Sequence, residues 1–267
     1  MPARFPPALS HDDIAPVPPL DGVFFVVGTA RFAAGIRVSR TMTILCNRGG
    51  LTLVNTVRLK EAGLAALDAI GRVEHIVRLG GAGGGTDGGG AGGGAVHGQD
   101  DPFYKDRYPE ATVWAMEGVS YANIVKDFTA DKPLSPSSLP LPNCRLLIIP
   151  SARLPEALLL VEHEKGNFVV SGDPLQNFGK TSNLHFSILG AALLRMAGFM
   201  KDHNVGPGFV SYSKCDVRDL AKLLDENDFE HVLPCHGTPV IGDARLKYRP
   251  AVEALVLKQS TGRSYRQ

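Results

Sequence analysis

Short runs of apolar and β-branched residues, separated by turn signals, predict two successive sets of strands followed by helices. The first set has strands at 23–27, 41–46, 51–55 and 73–79, with a helix at 60–70 before the last of them. Asn47-Arg48-Gly49-Gly50, between two of these strands, is typical of a tight hairpin turn. The second set has strands at 112–116, 145–149, 157–161, 168–170 and 231–233, and helices at 186–200, 217–224 and 245–257.

This order of elements favours an α/β (α+β) fold in which two sheets pack face to face with helices outside. Residues 1–20 are rich in proline and are interpreted as an extended arm, flexible or lying along the surface. We expect one domain over residues 21–267.

Residues 80–94 are interpreted as a disordered insertion, because eleven of these fifteen residues are glycine. The tract contains a Gly-x-Gly-x-x-Gly match, but no amphipathic helix follows it, so we assign no nucleotide-binding residues there. Gly179-Lys180-Thr181 also lacks the first glycine of a phosphate-binding loop, since Pro174 stands at that position.

Charge and composition exclude several function classes. Lys plus Arg number 28 and Asp plus Glu number 27, and this net charge of +1 gives no reason to expect nucleic acid or an anionic membrane as a partner. The four cysteines are widely spaced, and no apolar run has the length of a membrane span or the form of a signal peptide. We therefore expect a cytoplasmic protein with a small-molecule substrate.

Three short segments place metal-ligand residue types beyond strand ends, where open sheets collect functional groups. They are residues 97–101 (His-Gly-Gln-Asp-Asp), 171–173 (Ser-Gly-Asp) and 234–237 (Pro-Cys-His-Gly). The first two segments also have an ordinary structural interpretation: Asp-Asp-Pro can begin a helix, and Ser-Gly-Asp is a common turn.

With the order of the elements, these segments resemble the metallo-β-lactamase superfamily over residues 22–257. The resemblance implies an αββα sandwich of two mixed β-sheets flanked by helices, with one or two metal ions at the rim activating water for hydrolysis. The family motif His-x-His-x-Asp-His is matched by His97, Gln99, Asp101 and Pro102, so two of four ligands are present. Asp173 and His236 match the bridging aspartate and the last histidine, whereas residues 150–153 lack the histidine of a Gly-His-Thr-like turn.

This incomplete motif predicts a divergent member that binds a single divalent ion at His97, Asp101, Asp173 and His236. Zinc is the first choice, and iron(II) or manganese are alternatives. Asp100 is a spare carboxylate that orients or deprotonates water, or a rival ligand, and Tyr104 is a candidate donor to an oxyanion. Cys235 is expected to point to the opposite side of its strand from His236.

The predicted function is hydrolysis of a small ester, thioester, lactone or phosphoester by metal-activated water. Two alternatives stay open. The missing ligands favour a degenerate, non-catalytic binding protein with the same fold, and a single-iron redox enzyme of that fold is the third hypothesis.

Overall fold

The computed structural model of the chain describes residues 5, 7–33, 36–81, 97–121 and 125–263. Most of the predicted glycine-rich insertion lies outside these described residues.

The first sheet has seven strands, ordered β1 to β7 as in the sequence. They are β1 (Ala15–Val17), β2 (Leu20–Ala33), β3 (Ile36–Asn47), β4 (Gly50–Val54), β5 (Arg72–Arg78), β6 (Thr112–Met116) and β7 (Lys132–Leu134). Strands β1 to β4 are antiparallel, and β4 to β7 are parallel. The β3–β4 turn has positive φ at Arg48 (48°) and Gly49 (89°), the geometry of the predicted tight hairpin.

The second sheet has four strands in the order β13-β10-β9-β8. They are β8 (Cys144–Ile148), β9 (Ala157–Val161), β10 (Phe168–Ser171) and β13 (His231–Pro234), and β13 runs parallel to β10. A separate two-stranded ribbon joins β11 (Leu175–Gln176) to β12 (Asn204–Val205).

Helices cover the outer face of each sheet. They are α1 (Glu61–Ile70), α2 (Asp101–Arg107), α3 (Ile188–Met196), α4 (Pro207–Ser213), α5 (Val217–Glu226) and α6 (Ala244–Arg263). One apolar cluster fills the space between the sheets, a second packs α1 and α2 against the first sheet, and a third packs α5 and α6 against the second sheet. The predicted αββα sandwich is therefore confirmed.

The differences from the sequence prediction lie in short or locally determined elements. The N-terminal arm lies along the first sheet and adds β1, with Asp12 N donating to Val27 O at 2.8 Å. Asp-Asp-Pro begins α2, as in the alternative interpretation of that segment. Within the described residues, no helix is both long and apolar enough to cross a bilayer.

Candidate metal centre

The parallel pairing of β10 and β13 brings two of the polar segments together. Ser171 pairs with Pro234, so Asp173 and His236 each lie two residues beyond the paired ends of adjacent strands. Because both strands end at the same edge of the sheet, their polar side chains meet there.

Four buried side chains form one cluster at this edge: His97, Asp173, Cys235 and His236, which we call the rim cluster. Their ligand atoms all lie within 4.8 Å of one another. The Oδ1 atom of Asp173 lies 3.2 Å from His97 Nε2, 3.1 Å from His236 Nε2 and 3.9 Å from Cys235 Sγ. The imidazole rings of the two histidines meet edge to face at 5.2 Å between centroids.

The surrounding residues fix the direction in which Asp173 and His236 point. Tyr212 donates its O–H to Asp173 Oδ2 at 2.7 Å, and Gln176 Nε2 donates to Oδ1 at 3.1 Å. His236 Nδ1 lies 2.7 Å from the carbonyl oxygen of Ser39, which can only accept, so Nδ1 donates the hydrogen of this bond. The ring of Phe178 stacks on His236 at 5.4 Å between centroids.

Burial and the charges of neighbouring groups shift the pKa values of residues in the rim cluster. Burial lowers the pKa of His97, although the adjacent Asp173 opposes this shift. Burial would by itself raise the pKa of Asp173, but the two imidazoles hold that pKa well below its usual range. Burial and the Asp173 carboxylate together raise the pKa of the Cys235 thiol well above its usual value.

The donor set fits a zinc-type ion. Zinc bonds of about 2.0–2.3 Å at tetrahedral angles put neighbouring ligand atoms roughly 3.3–3.6 Å apart. The three separations from Asp173 Oδ1, at 3.1 to 3.9 Å, bracket that range. Within the described part of the chain, neither ring nitrogen of the buried His97 makes a hydrogen bond of acceptable geometry. A bound cation would satisfy Nε2, which is otherwise a costly buried polar atom.

The structure does not bring Asp101 into the rim cluster. Its carboxylate accepts the hydroxyl hydrogens of Thr56 at 2.5 Å and of Tyr121 at 2.7 Å. Burial raises the pKa of Asp101, and the guanidinium of the fully buried Arg78, which stacks over the Tyr121 ring at 4.7 Å, opposes this shift without reversing it. Because α2 begins at Asp101, this carboxylate is oriented by the helix and by these donors.

Asp100 and Tyr104, predicted as catalytic residues, also have other partners. Asp100 pairs with the buried Arg40 and accepts the backbone N–H of Arg58 at 2.9 Å. Tyr104 lies one turn into α2, fully buried in the core, where it donates to the carbonyl oxygen of Val57 at 2.7 Å. The structure therefore gives Tyr104 a packing role away from the rim cluster.

The prediction that Cys235 points away from His236 was wrong. Side chains alternate only within a strand, and β13 ends at Pro234. The chain turns sharply at Gly237, where φ is +101° and a Cβ would lie 1.9 Å from the carbonyl oxygen of Asn177. This glycine was the sequence signal that the alternation would end.

A buried carboxyl group beside the rim cluster was also missed. Glu156, just before β9, is 1% exposed, and burial together with the nearby Asp173 charge raises its pKa well above the usual value. A Cβ at Gly172 would lie 2.2 Å from Glu156 Oε1, so the glycine makes room for this group. No sequence pattern marked Glu156, because it reaches the site only when the strands pair.

No protein-family model matches the sequence, and comparison with curated proteins gives no match. Solved structures do match. The DIM-1 metallo-β-lactamase aligns with a TM-score of 0.56 at 12% identity, covering 93% of this chain and 99% of that chain. FIM-1 from Pseudomonas aeruginosa, in its mono-zinc form, aligns with a TM-score of 0.52 at 14% identity, covering 94% and 98%. A metallo-β-lactamase from Pontibacter korlensis gives 0.53 at 14% identity, covering 90% and 98%. The chain therefore has the metallo-β-lactamase fold, at a sequence identity of 12% to 14% with these proteins.

Proposed function

We propose that the protein is a metal-dependent hydrolase in which His97, Asp173 and His236 bind one divalent ion. Zinc is the preferred ion. The observation that carries the proposal is the convergence of both histidine Nε2 atoms on Asp173 Oδ1, within 3.2 Å, at the rim of this fold. Three protein ligands with mixed nitrogen and oxygen donors are typical of catalytic zinc sites, which keep a position for water. Bound zinc lowers the pKa of such a water to about 7 and so supplies hydroxide near neutral pH.

The protein's own contribution is to hold the ligands in position. Ser39 O accepts a hydrogen bond from His236 Nδ1, which would leave Nε2 as the nitrogen that binds the ion. Tyr212 engages Asp173 Oδ2 and leaves Oδ1 directed at the two imidazoles. Burial lowers the pKa of His97 and so favours the neutral imidazole, which is the form that binds a metal.

The proposed substrates are small esters, thioesters, lactones or phosphoesters. The structural neighbours support a small-molecule substrate, since one was solved to study substrate and inhibitor binding and another after exposure to ceftazidime. A second candidate function is non-catalytic metal or ligand binding. The sequestration of Asp101 by Thr56 and Tyr121 favours it, because a second ion loses one of its ligands.

The test is elemental analysis and hydrolysis by protein purified without chelators or affinity metals. We expect about one zinc, iron or manganese ion per chain. His97→Ala should lower both metal content and hydrolysis of a chromogenic ester panel. His185→Ala is the matched control, because His185 is equally buried but contacts Asp12 and Thr29 instead. Equal metal content and activity in the two variants would refute the proposal, and metal binding without hydrolysis would favour the second candidate.

A further inference from the structure

Cys235 and His236 are consecutive, yet both side chains enter the rim cluster. The backbone around them is fixed from two directions. Thr41 N on β3 donates to the carbonyl oxygen of Cys235 at 2.9 Å, and Asn177 N donates to that of His236 at 3.0 Å. The position of the thiol is therefore determined by backbone hydrogen bonds from β3 and from the residue after β11.

The thiol is placed for coordination and not only for packing. Its residue is 1% exposed, and Sγ lies 3.9 Å from Asp173 Oδ1, against the roughly 3.6 Å expected between sulfur and oxygen on a tetrahedral zinc ion. The ring nitrogens of His97, which is 2% exposed, make no hydrogen bond of acceptable geometry within the described residues, and Nε2 has only the close contact with Asp173 Oδ1, which is an independent sign that this space takes a cation.

We propose that Cys235 is the fourth protein ligand of the metal centre and closes it in the resting protein. This inference rests on the proposed function. Tetrahedral zinc with four protein ligands has no position for water, whereas catalytic zinc has three. Held by these four residues, the ion would be open to water only when the Cys235 thiolate is displaced. The thiolate also selects zinc or cobalt(II) over magnesium, calcium and manganese, which prefer oxygen donors.

The first experiment is cobalt(II) substitution of the full-length chain, with absorption spectra and cobalt per chain measured together. Wild type should bind about one cobalt ion and show an intense near-ultraviolet sulfur-to-cobalt charge-transfer band. Cys235→Ala should lose the band. Cys144→Ala is the matched control, because it removes a buried thiol from β8 and should keep the band.

The second readout is hydrolysis by the zinc-loaded proteins. Cys235→Ala should turn over a chromogenic nitrophenyl ester faster per bound zinc than wild type and Cys144→Ala, because its fourth position is open to water. Cys235→Ser, which keeps nearly the same volume, checks the alanine variant if that variant fails to fold.

The outcomes separate the two proposals. One cobalt per chain without a charge-transfer band in wild type overturns the role of Cys235 and leaves the proposed function in place. Loss of the band in the Cys235 variants without any rise in hydrolysis overturns the closing role. Absence of bound cobalt and zinc in wild type overturns the proposed function and this inference with it.

Discussion

Tyr212 offers the sharpest test of how the rim cluster is held, because a second tyrosine in the chain provides a matched control. Tyr212→Phe removes one hydroxyl, which donates to Asp173 Oδ2 at 2.7 Å. Tyr104→Phe removes a hydroxyl that donates over the same 2.7 Å to the carbonyl oxygen of Val57. The two substitutions are chemically identical, but only the first touches a proposed metal ligand.

The expected losses of zinc affinity and of stability differ because one hydroxyl donates to the Asp173 carboxylate and the other to a neutral carbonyl oxygen, that of Val57. A hydrogen bond to a charged group contributes about 1.5–3 kcal/mol, and one between neutral groups about 0.5–1.5 kcal/mol. Loss of a group that orients a metal ligand costs roughly 10–100-fold in metal affinity. Tyr212→Phe should therefore weaken zinc binding by about that factor. Tyr104→Phe should lower the free energy of unfolding by about 1 kcal/mol and leave zinc affinity unchanged.

The assay is competition for zinc with a chromophoric chelator at neutral pH, paired with denaturant unfolding of the metal-free proteins. The unfolding curves separate lost stability from lost affinity. Unchanged zinc affinity in Tyr212→Phe would refute the orienting role of Tyr212. An equal loss of affinity in Tyr104→Phe would show that the effect spreads through the fold and would restore Tyr104 as a candidate functional residue.

Three further outcomes are expected. Asp101→Asn should lower the free energy of unfolding by about 1–3 kcal/mol, because an amide nitrogen would face the Thr56 or Tyr121 hydroxyl. The zinc content per chain should not change. A loss of zinc would contradict the conclusion that Asp101 lies outside the metal centre. Nδ1 of His75 accepts the indole N–H of Trp114, the only tryptophan, at 3.3 Å, and burial lowers the pKa of His75. The fluorescence emission of Trp114 should therefore change with pH at a midpoint below 6.5. Persistence of this transition in His75→Gln would refute the assignment. Zinc at about 100 times its dissociation constant should stabilise wild type by about 2.7 kcal/mol in denaturant unfolding, reversibly with chelator, and an unchanged midpoint would argue against a folded-state site.

Apolar runs and helical periodicity predicted most strands and helices of the sandwich, because these elements are long enough for such a pattern to be recognised. The strand at Thr112–Met116 and the strand at Ala157–Val161 begin and end where the apolar pattern does. The short elements β7, β11, β12 and α4 carry too few residues for a periodic signal, and pairing with neighbours determines them. The β2–β3 hairpin extends well beyond its predicted strands because cross-strand pairing continues through polar residues such as Thr29 and Ser39.

The candidate site was predictable where strand ends determined it. Asp173 and His236 follow strands that pair, and their meeting was expected from their places at strand ends together with the family resemblance. Cys235 could not be placed, since its direction depends on the turn at Gly237 and on the carbonyl of Asn177 that the turn approaches. Glu156 and Tyr212 come from other elements, and no local pattern links them to Asp173.

The hydrogen bonds of Asp101 support the proposal that the rim cluster holds one ion and not two. The family motif offers this carboxylate to a metal, but here both of its oxygens accept hydroxyl hydrogens, from Thr56 and Tyr121. The guanidinium of Arg78 stacks on Tyr121 and supplies positive charge close to Asp101. A second cation would have to break two hydrogen bonds and approach that fixed charge in a buried region, where like charges repel strongly. In the proposed centre, the Arg78 guanidinium therefore compensates the Asp101 carboxylate in place of a second ion, and the donors of the rim cluster would hold a single metal.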